Sequence, residues 1–180
     1  MIERTLEYNY DLDIDYIFDI IADNNSEIVE KLTDIFDYKQ GKWLDNKRKD
    51  LVGLTLTDIP SQVETIASLF VTNNQVYIKE KIRIKERTAN KILVNVKIKI
   101  VNTVVNLIFK LFKYKINIIL ESNNPNNTNV KIIYKFKSLL SSSLTKILDD
   151  YIEENLKTKY MKIIDDYLQS KVAEKNDLEE

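Results

Sequence analysis

Glu80 is the residue whose type and position most suggest chemistry. It falls in phase with Ile78 and Ile82 in a segment that alternates apolar and polar residues, so on a β-strand it would share a face with apolar side chains. A carboxylate among apolar groups needs a hydrogen-bond partner or a raised pKa. Glu80 could orient a ligand hydroxyl or pair with a tyrosine such as Tyr114 or Tyr134. The alternative is a bulge between Ile78 and Ile82, which would return the carboxylate to solvent.

Tyrosine is the second candidate for chemistry. The chain has 10 tyrosines, and Tyr151, Tyr160 and Tyr167 recur along the last predicted helix. A phenol combines an apolar ring with a hydrogen-bonding hydroxyl, so it can line an apolar pocket and hold a polar head group. The alternative is ordinary core packing in which the hydroxyl reaches water.

The composition excludes most catalytic schemes. With 0 Cys and 0 His, the chain has no disulfide, no thiolate nucleophile, no zinc site built from Cys and His, and no serine–histidine triad. Only 2 Gly are present, which leaves few positions for a glycine-dependent phosphate loop. A carboxylate, lysine or tyrosine enzyme remains compatible with this composition. The sequence nevertheless indicates no catalytic residue, metal ligand or cofactor, and we expect a protein that is not an enzyme.

The net charge of -1 conceals a segregation of charge along the chain. Residues 1–40 hold 11 acids and 3 bases, residues 79–137 hold 14 bases and 3 acids, and residues 144–180 hold 10 acids and 6 bases. The basic block would attract an anionic membrane more readily than a nucleic acid, because no recognisable nucleic-acid-binding motif accompanies it and acidic flanks would repel a phosphate chain. The alternative is a solvated sheet face that prevents edge aggregation.

The apolar periodicities show which elements must position these residues. They predict, in order, a strand at 2–10, short helices at 14–21 and 26–36, strands at 38–45 and 48–58, a helical flap or lid at 60–70, four meandering strands between 73 and 137, and a long amphipathic helix capped by 141–143.

This element order resembles the START-like superfamily, also called the helix-grip, SRPBCC or birch-pollen-allergen fold. Local sequence also resembles these domains at Arg4–Leu6 with Phe18, at Gly41–Trp43, and at Gln75–Glu80 after the flap. The allergen branch has a glycine-rich loop between its second and third strands, whereas Asp45–Lys47 contains no glycine. The missing glycine argues against allergen-like ligands, and within the superfamily the chain most resembles the small lipid-binding relatives of bacteria and eukaryotes.

The resemblance implies an α+β helix-grip fold, in which a curved antiparallel sheet of about seven strands, in the order β-α-α-β6-α, wraps around a long C-terminal helix. Residues 1–174 would form one domain, and 175–180 a charged, disordered tail. A hydrophobic ligand, most simply a lipid, would bind or be transferred in a cavity between sheet and helix. The alternatives are a protein-interaction or cochaperone-like module with a filled core, and a polyketide-cyclase-like enzyme that uses Glu80 and tyrosines.

The phase of the strands and helices, together with the resemblance, predicts the ligand-binding residues. They are Trp43, Leu54, Leu56, Phe70, Ile78, Glu80, Ile82, Val96, Ile98, Tyr114, Ile116, Tyr134, Phe136, Tyr151 and Tyr160.

The sequence predicts a cytoplasmic protein. Its N-terminus lacks the basic start and apolar run of a secretory signal, and the most apolar stretch, 101–112, is interrupted by Asn102, Asn106 and Lys110. Apolar groups between Asn102 and Lys113 and around Phe70 would form the mouth of the pocket and enter a bilayer during ligand exchange. The alternatives are a dimer contact or an extension of the neighbouring strands.

Overall fold

The computed structural model describes residues 2–23, 26–39, 41–56, 61, 76–100, 112–138 and 141–179. Within these ranges the description does not extend to the side chains of residues 50–56, 76–80, 98–100 and 112–114, nor to those of Asp23, Ser26, Ser138, Leu148, Ile152, Leu156, Leu178 and Glu179.

The described residues form one seven-stranded sheet in which every neighbouring pair is antiparallel. Its strands are β1 (Ile2–Tyr10), β2 (Trp43–Asp45), β3 (Arg48–Leu56), β4 (Val76–Thr88), β5 (Lys91–Ile100), β6 (Phe112–Asn124) and β7 (Asn127–Ser138). The spatial order is β1-β7-β6-β5-β4-β3-β2. The N-terminal strand therefore pairs with the last strand of the meander and ends the sheet on that side.

Two short helices, α1 (Ile14–Asp23) and α2 (Ser26–Phe36), follow β1. Asp13 begins the first of them, since its Oδ1 accepts hydrogen bonds from the backbone N–H groups of Asp15 at 2.8 Å and Tyr16 at 3.2 Å. Asp37 follows α2 in the left-handed region at φ 47, and its N–H donates to the carbonyl of Thr33 at 2.9 Å.

The C-terminal helix has three consecutive parts: α3 (Ser142–Glu153), a π-helix (Glu154–Met161) and α4 (Lys162–Glu179). Ser141 caps it as predicted, accepting from the N–H of Leu144 at 3.5 Å. The sequence predicted one regular amphipathic helix, and the π-helix departs from that prediction. The side chain of the buried Asn155 donates to the carbonyl of Tyr151 at 2.8 Å, and so competes for the acceptor that an α-helical N–H would use.

The core lies between the inward face of the sheet and helices α1, α2 and α4. Ile17, Ile28 and Leu32 of the short helices are fully buried, as are Ile164 and Leu168 of α4. Burial of one such side chain contributes about 1.5–3 kcal/mol. Apolar packing therefore fixes all three helices on the same face of the sheet.

The structure confirms the predicted α+β helix-grip architecture and its element order. Strand β2 begins at Trp43, later than the predicted start at residue 38. Helix α4 continues to Glu179, five residues into the predicted tail at 175–180, where the Lys175 Nζ donates to the carbonyl of Asp11 at 3.4 Å. The division into a domain and a tail stays a prediction. The predicted flap lies outside the described residues apart from Ser61, and so does the stretch 101–111.

Candidate functional site

A row of paired residues crosses the inward face of the sheet. From β3 to β1 the row consists of Lys49, Ile82, Val96, Ile116, Tyr134 and Arg4. Its centre is apolar, and a basic residue stands at each end. Because cross-strand neighbours lie only about 5 Å apart, these side chains form a continuous surface below the helices.

A cavity of about 50 Å³ lies above the centre of this row, between the sheet, α1 and the π-helix. Its lining is apolar except for the phenol of Tyr160. The lining residues are Phe18, Ile21, Ala22, Ile82, Val94, Val96, Ile116, Ile118, Leu120, Ile132, Tyr160 and Met161. This volume is smaller than the engineered cavity of about 150 Å³ that binds benzene in another protein. The described lining therefore encloses room for a small group, and a larger ligand needs more space than it provides.

Four predicted ligand-binding residues line the cavity: Ile82, Val96, Ile116 and Tyr160. Tyr134 and Phe136 are buried on β7, outside the lining.

Trp43 and Tyr151 are half-buried, and they too lie outside the lining. The ring of Trp43 packs against Phe18, with centroids 6.4 Å apart. The sequence predicted a helix at 14–21 but no part for it in the cavity wall, to which Phe18, Ile21 and Ala22 all contribute. The helical spacing of Phe18 and Ile21 was the available signal.

The structure does not describe the side chains of the remaining predicted residues, so their role in ligand binding stays a prediction. They are Leu54, Leu56, Phe70, Ile78, Glu80, Ile98 and Tyr114.

The backbone does fix the register of Glu80. It pairs with Val52 on one side and Ile98 on the other. The β4–β5 pairing keeps its register from Ile78 to Ile84, so this ladder contains no bulge at the position considered in the sequence analysis. The neighbouring register shift lies instead on β3, between Lys49 and Val52.

A group of charged residues, the Arg4 cluster, lies at the β1 end of the row. Arg4 of β1 is joined to Asp149, Asp150 and Glu153 of α3, and Tyr134 is its cross-strand neighbour. The Arg4 Nε and Nη2 donate to Asp149 Oδ2 at 2.9 and 2.6 Å, and Nη2 lies 3.3 Å from Asp150 Oδ1. Arg4 Nη1 also contacts the Glu153 carboxylate. One arginine thus faces three carboxylates.

Burial and neighbouring charges shift the pKa values of Tyr134 and Arg4. Burial raises the pKa of Tyr134 to about 12, and the negative charges of Glu153 and Asp149 act in the same direction. The hydrogen bond from Arg4 to Asp149 raises the pKa of the guanidinium above its ordinary value. At neutral pH the phenol is therefore protonated and the arginine charged. Sequence analysis singled out Tyr134 but missed the carboxylates, whose partner lies far away in the chain.

Lys49 stands at the opposite end of the row and is 0% exposed. Its Nζ donates to the carbonyl of Ala22 at 2.5 Å and lies 5.9 Å from the centroid of the Trp43 ring. The carbonyl belongs to the last turn of α1, where the helix dipole favours a positive charge. No sequence pattern predicted this burial, because the register shift after Lys49 interrupts the alternation of β3.

The outer face of the sheet carries the basic block, as the strand phase predicted. Lys81 of β4 lies directly opposite Lys97 of β5. The described part of the chain offers no ion pair to the exposed bases of this face, which are Lys81, Arg83, Lys85, Lys97, Lys115 and Lys137. Acids of β1 neutralise the far edge, since Lys131 pairs with Glu7 at 2.7 Å and Lys135 with Glu3 at 2.8 Å. An unbalanced positive patch is left on the middle strands.

Two further features bear on function. Among the described residues, no group of three or more acidic side chains has the arrangement of a metal site. No helix in the described ranges has the length and apolar character needed to cross a membrane.

The architecture is that of the START-like helix-grip fold. A protein of Thermus thermophilus is 8% identical with a TM-score of 0.55, over 94% of this chain and 98% of that one. A conserved protein from Geobacillus kaustophilus is 9% identical with a TM-score of 0.51, over 94% of this chain and 96% of the other. The Zhui aromatase/cyclase from a Streptomyces species reaches 10% identity and a TM-score of 0.49, over 92% and 93% of the two chains.

At these identities the likeness concerns the fold alone, and the fold does not decide between a binding protein and an enzyme. No protein-family model matches the sequence, and no curated protein matches it either.

Proposed function

We propose that this protein binds a hydrophobic small molecule, with a lipid as the expected class, between the sheet and the C-terminal helix, and that it acts as a carrier or sensor. The observation that carries this proposal is the apolar floor formed by Ile82, Val96 and Ile116, with a cavity above it and a charged cluster at one end. Such a combination of apolar walls and a few placed polar groups is typical of small-molecule sites.

The size of the ligand depends on how far this floor continues. Pockets for drug-sized ligands enclose about 300–1,000 Å³, well above the 50 Å³ of the described cavity. The predicted binding residues Leu54 and Ile78 are paired with each other on β3 and β4, and Ile98 follows Val96 by two residues on β5. We expect the binding space to extend over these positions, toward the predicted flap.

The protonation of Tyr134 suits a role in holding the polar end of a ligand. The phenol of Tyr134, with its pKa raised to about 12 by burial, can donate a hydrogen bond at neutral pH but is a poor general base. The cyclase-like alternative would need Glu80 as its base. The cytoplasmic location expected from the sequence is part of the same proposal.

The small volume of the described cavity favours a second candidate, an interaction or cochaperone-like module whose core is filled by its own side chains. Native mass spectrometry after gentle purification separates the two. A co-purifying lipid supports the carrier, whereas an empty protein that also fails to bind an apolar fluorescent probe supports the interaction module.

A cavity-filling variant tests the location of the ligand. Val96→Phe places a ring in the cavity and should weaken binding of the apolar probe at least tenfold. Ile133→Phe adds the same ring on the outer face of β7, where Ile133 pairs with Thr5 and Asn117, and should leave binding unchanged. Equal affinities for both variants and the wild type would place the ligand elsewhere.

We also propose that the lysines of the outer face bring the protein to anionic membranes. Lys81→Glu/Lys97→Glu should reduce binding to vesicles containing phosphatidylserine. Lys146→Glu/Lys157→Glu, an equal charge change at exposed positions of the C-terminal helix, should have little effect. Binding that persists in 1 M salt, where the Debye length falls to about 3 Å, would contradict an electrostatic surface role.

A further inference from the structure

The Arg4 cluster contains a buried acceptor that the chain itself leaves unused. Asp149 is 1% exposed, and its Oδ2 receives both hydrogen bonds from Arg4. Its Oδ1 is buried and has no hydrogen-bond partner among the described residues. An unsatisfied oxygen on a buried carboxylate is costly, and native proteins satisfy such atoms or use them.

The charge of the cluster is not balanced. Arg4 contributes one positive charge, whereas Asp149, Asp150 and Glu153 contribute three negative ones. Asp149 lies in a medium less polar than water, where charge interactions are strong, whereas Asp150 is 54% and Glu153 27% exposed, so solvent screens part of their charge. A second positive or hydrogen-bond-donating group would therefore be favoured at Asp149 Oδ1, and an anion would be repelled.

Arg4 and the cavity lie on the same row of cross-strand neighbours. Tyr134 is paired with Arg4 on one side and with Ile116 on the other, and Ile116 lines the cavity. Ile132 lies two residues before Tyr134 on the same face of β7, and it also lines the cavity. Strands lie about 4.8 Å apart, so Arg4 is about 10 Å from the cavity floor. A short apolar chain spans that distance.

We propose that Asp149 Oδ1 accepts a hydrogen bond from an amine or hydroxyl at the polar end of the bound hydrophobic molecule, and that the cluster selects such a molecule over a carboxylate of the same chain length. This inference rests on the proposed function, since it names the polar end of the same ligand. It assigns to Asp149, Asp150 and Glu153 a role in head-group selection.

Displacement of an apolar fluorescent probe by ligands of equal chain length tests the inference on the wild-type protein. Dodecylamine, dodecanol and dodecanoate are compared at neutral pH and below their micelle concentrations. We expect dodecylamine to bind at least tenfold more tightly than dodecanoate, with dodecanol between them. Dodecanoate that binds as well as dodecylamine would overturn the inference.

A matched pair of variants then tests the residue. Asp149→Asn should reduce the amine-to-acid preference to about twofold, whereas Asp166→Asn, which removes the same charge from an exposed position of α4, should keep it. The double variant Asp150→Asn/Glu153→Gln keeps the Arg4–Asp149 pair, so it tests the excess charge even where Asp149→Asn does not fold. It should lower the preference about tenfold through tighter binding of the acid. An unchanged preference in both sets of variants overturns the inference.

The two proposals fail in different ways. If the probe binds and all three head groups compete equally, the selection by Asp149 is wrong and hydrophobic binding stands. If neither the probe nor any of the three ligands binds, the proposed function is wrong, and the inference that rests on it is wrong too.

Discussion

Arg4 and Asp149 are 145 positions apart in the sequence, and their contact joins the first strand to the last helix. Asp149 is almost fully buried, while Arg4 is 34% exposed. Removing one member of a buried ion pair leaves an uncompensated charge in the interior, which is why such losses are large even when the intact pair contributes little.

Arg4→Ala should lower the free energy of unfolding by about 3 kcal/mol, at the lower end of the range for buried pairs because the guanidinium is partly exposed. Urea unfolding followed by circular dichroism measures this loss. The control is Arg48→Ala, which breaks the exposed 2.7 Å pair with Asp45 and should cost less than about 1 kcal/mol. Equal losses would show that the Arg4 cluster is as weak as a surface pair.

The phenol of Tyr134 predicts a loss of stability in alkali. The pKa of this phenol is about 12 in the folded protein, compared with the ordinary value of 10.0 in the unfolded chain. Above pH 10 the unfolded state therefore releases a proton that the folded state keeps. The contribution of Tyr134 to the free energy of unfolding is complete below pH 10 and decreases as the pH rises toward 12.

Tyr134→Phe should therefore flatten the decline of unfolding free energy between pH 10 and 12, as measured by urea unfolding at several pH values. Tyr10 also has a raised pKa, from burial and its 2.8 Å hydrogen bond to Asp165, so part of the decline should remain. A variant with the same slope as the wild type would contradict the role of Tyr134.

At the scale of elements, the sheet has an apolar inward face and a basic outer face. The inward face supplies the apolar floor, and the outer face places lysines opposite one another, as at Lys81 and Lys97. Like charges in directly opposite positions destabilise a sheet. The arrangement is therefore a cost in stability that an anionic partner would relieve.

Lys97→Glu should raise the free energy of unfolding by about 0.5 kcal/mol, because it replaces this repulsion with an opposite-charge pair. The gain should disappear in 1 M salt. Lys135→Glu is the matched control on β7, where the lysine pairs with Glu3, so the same change should destabilise. Thermal unfolding at low and high salt measures both variants, and a loss of stability in Lys97→Glu would contradict the pairing.

The sequence predicted the helices and strands better than it predicted the contacts between them. Alternation gave the inward phase of Ile82, Val96 and Ile116 because a strand reverses its side chains at every residue. It failed at Lys49, where the register shift on β3 changes the phase locally. A helical stripe likewise predicted a C-terminal helix, but the change to π-helical hydrogen bonding at Glu154–Met161 follows from contacts that periodicity does not record.

At the scale of the whole molecule, the packing of several elements sets the volume of the cavity and therefore the room for a ligand. Its walls come from α1, four strands and the π-helix, so its volume depends on how these elements meet. Helix α1 is fixed there by more than apolar contact. Arg87 of β4 pairs with Asp15 at 2.6 Å and lies over the ring of Phe18 at 4.8 Å.

Ile116→Ala should lower the free energy of unfolding by about 2–5 kcal/mol, because it removes buried methyl groups and enlarges the cavity. It should also increase the affinity for a small apolar probe such as benzene, so that the probe raises the melting temperature of the variant more than that of the wild type. Ile119→Ala, on the opposite face of β6, should cost about 1 kcal/mol and give no such gain. Probe binding that does not change in Ile116→Ala would contradict the placement of the cavity.

The sequence by itself determined the fold class, the order of the elements and the sign of charge on the outer face, because periodicity and composition are local properties of the chain. The tertiary structure decided which residues meet. It brought Arg4 to Asp149, placed α1 over the cavity and buried Lys49 against the end of that helix. These contacts depend on strand register and on packing between distant segments, and neither is encoded in the alternation of a single segment.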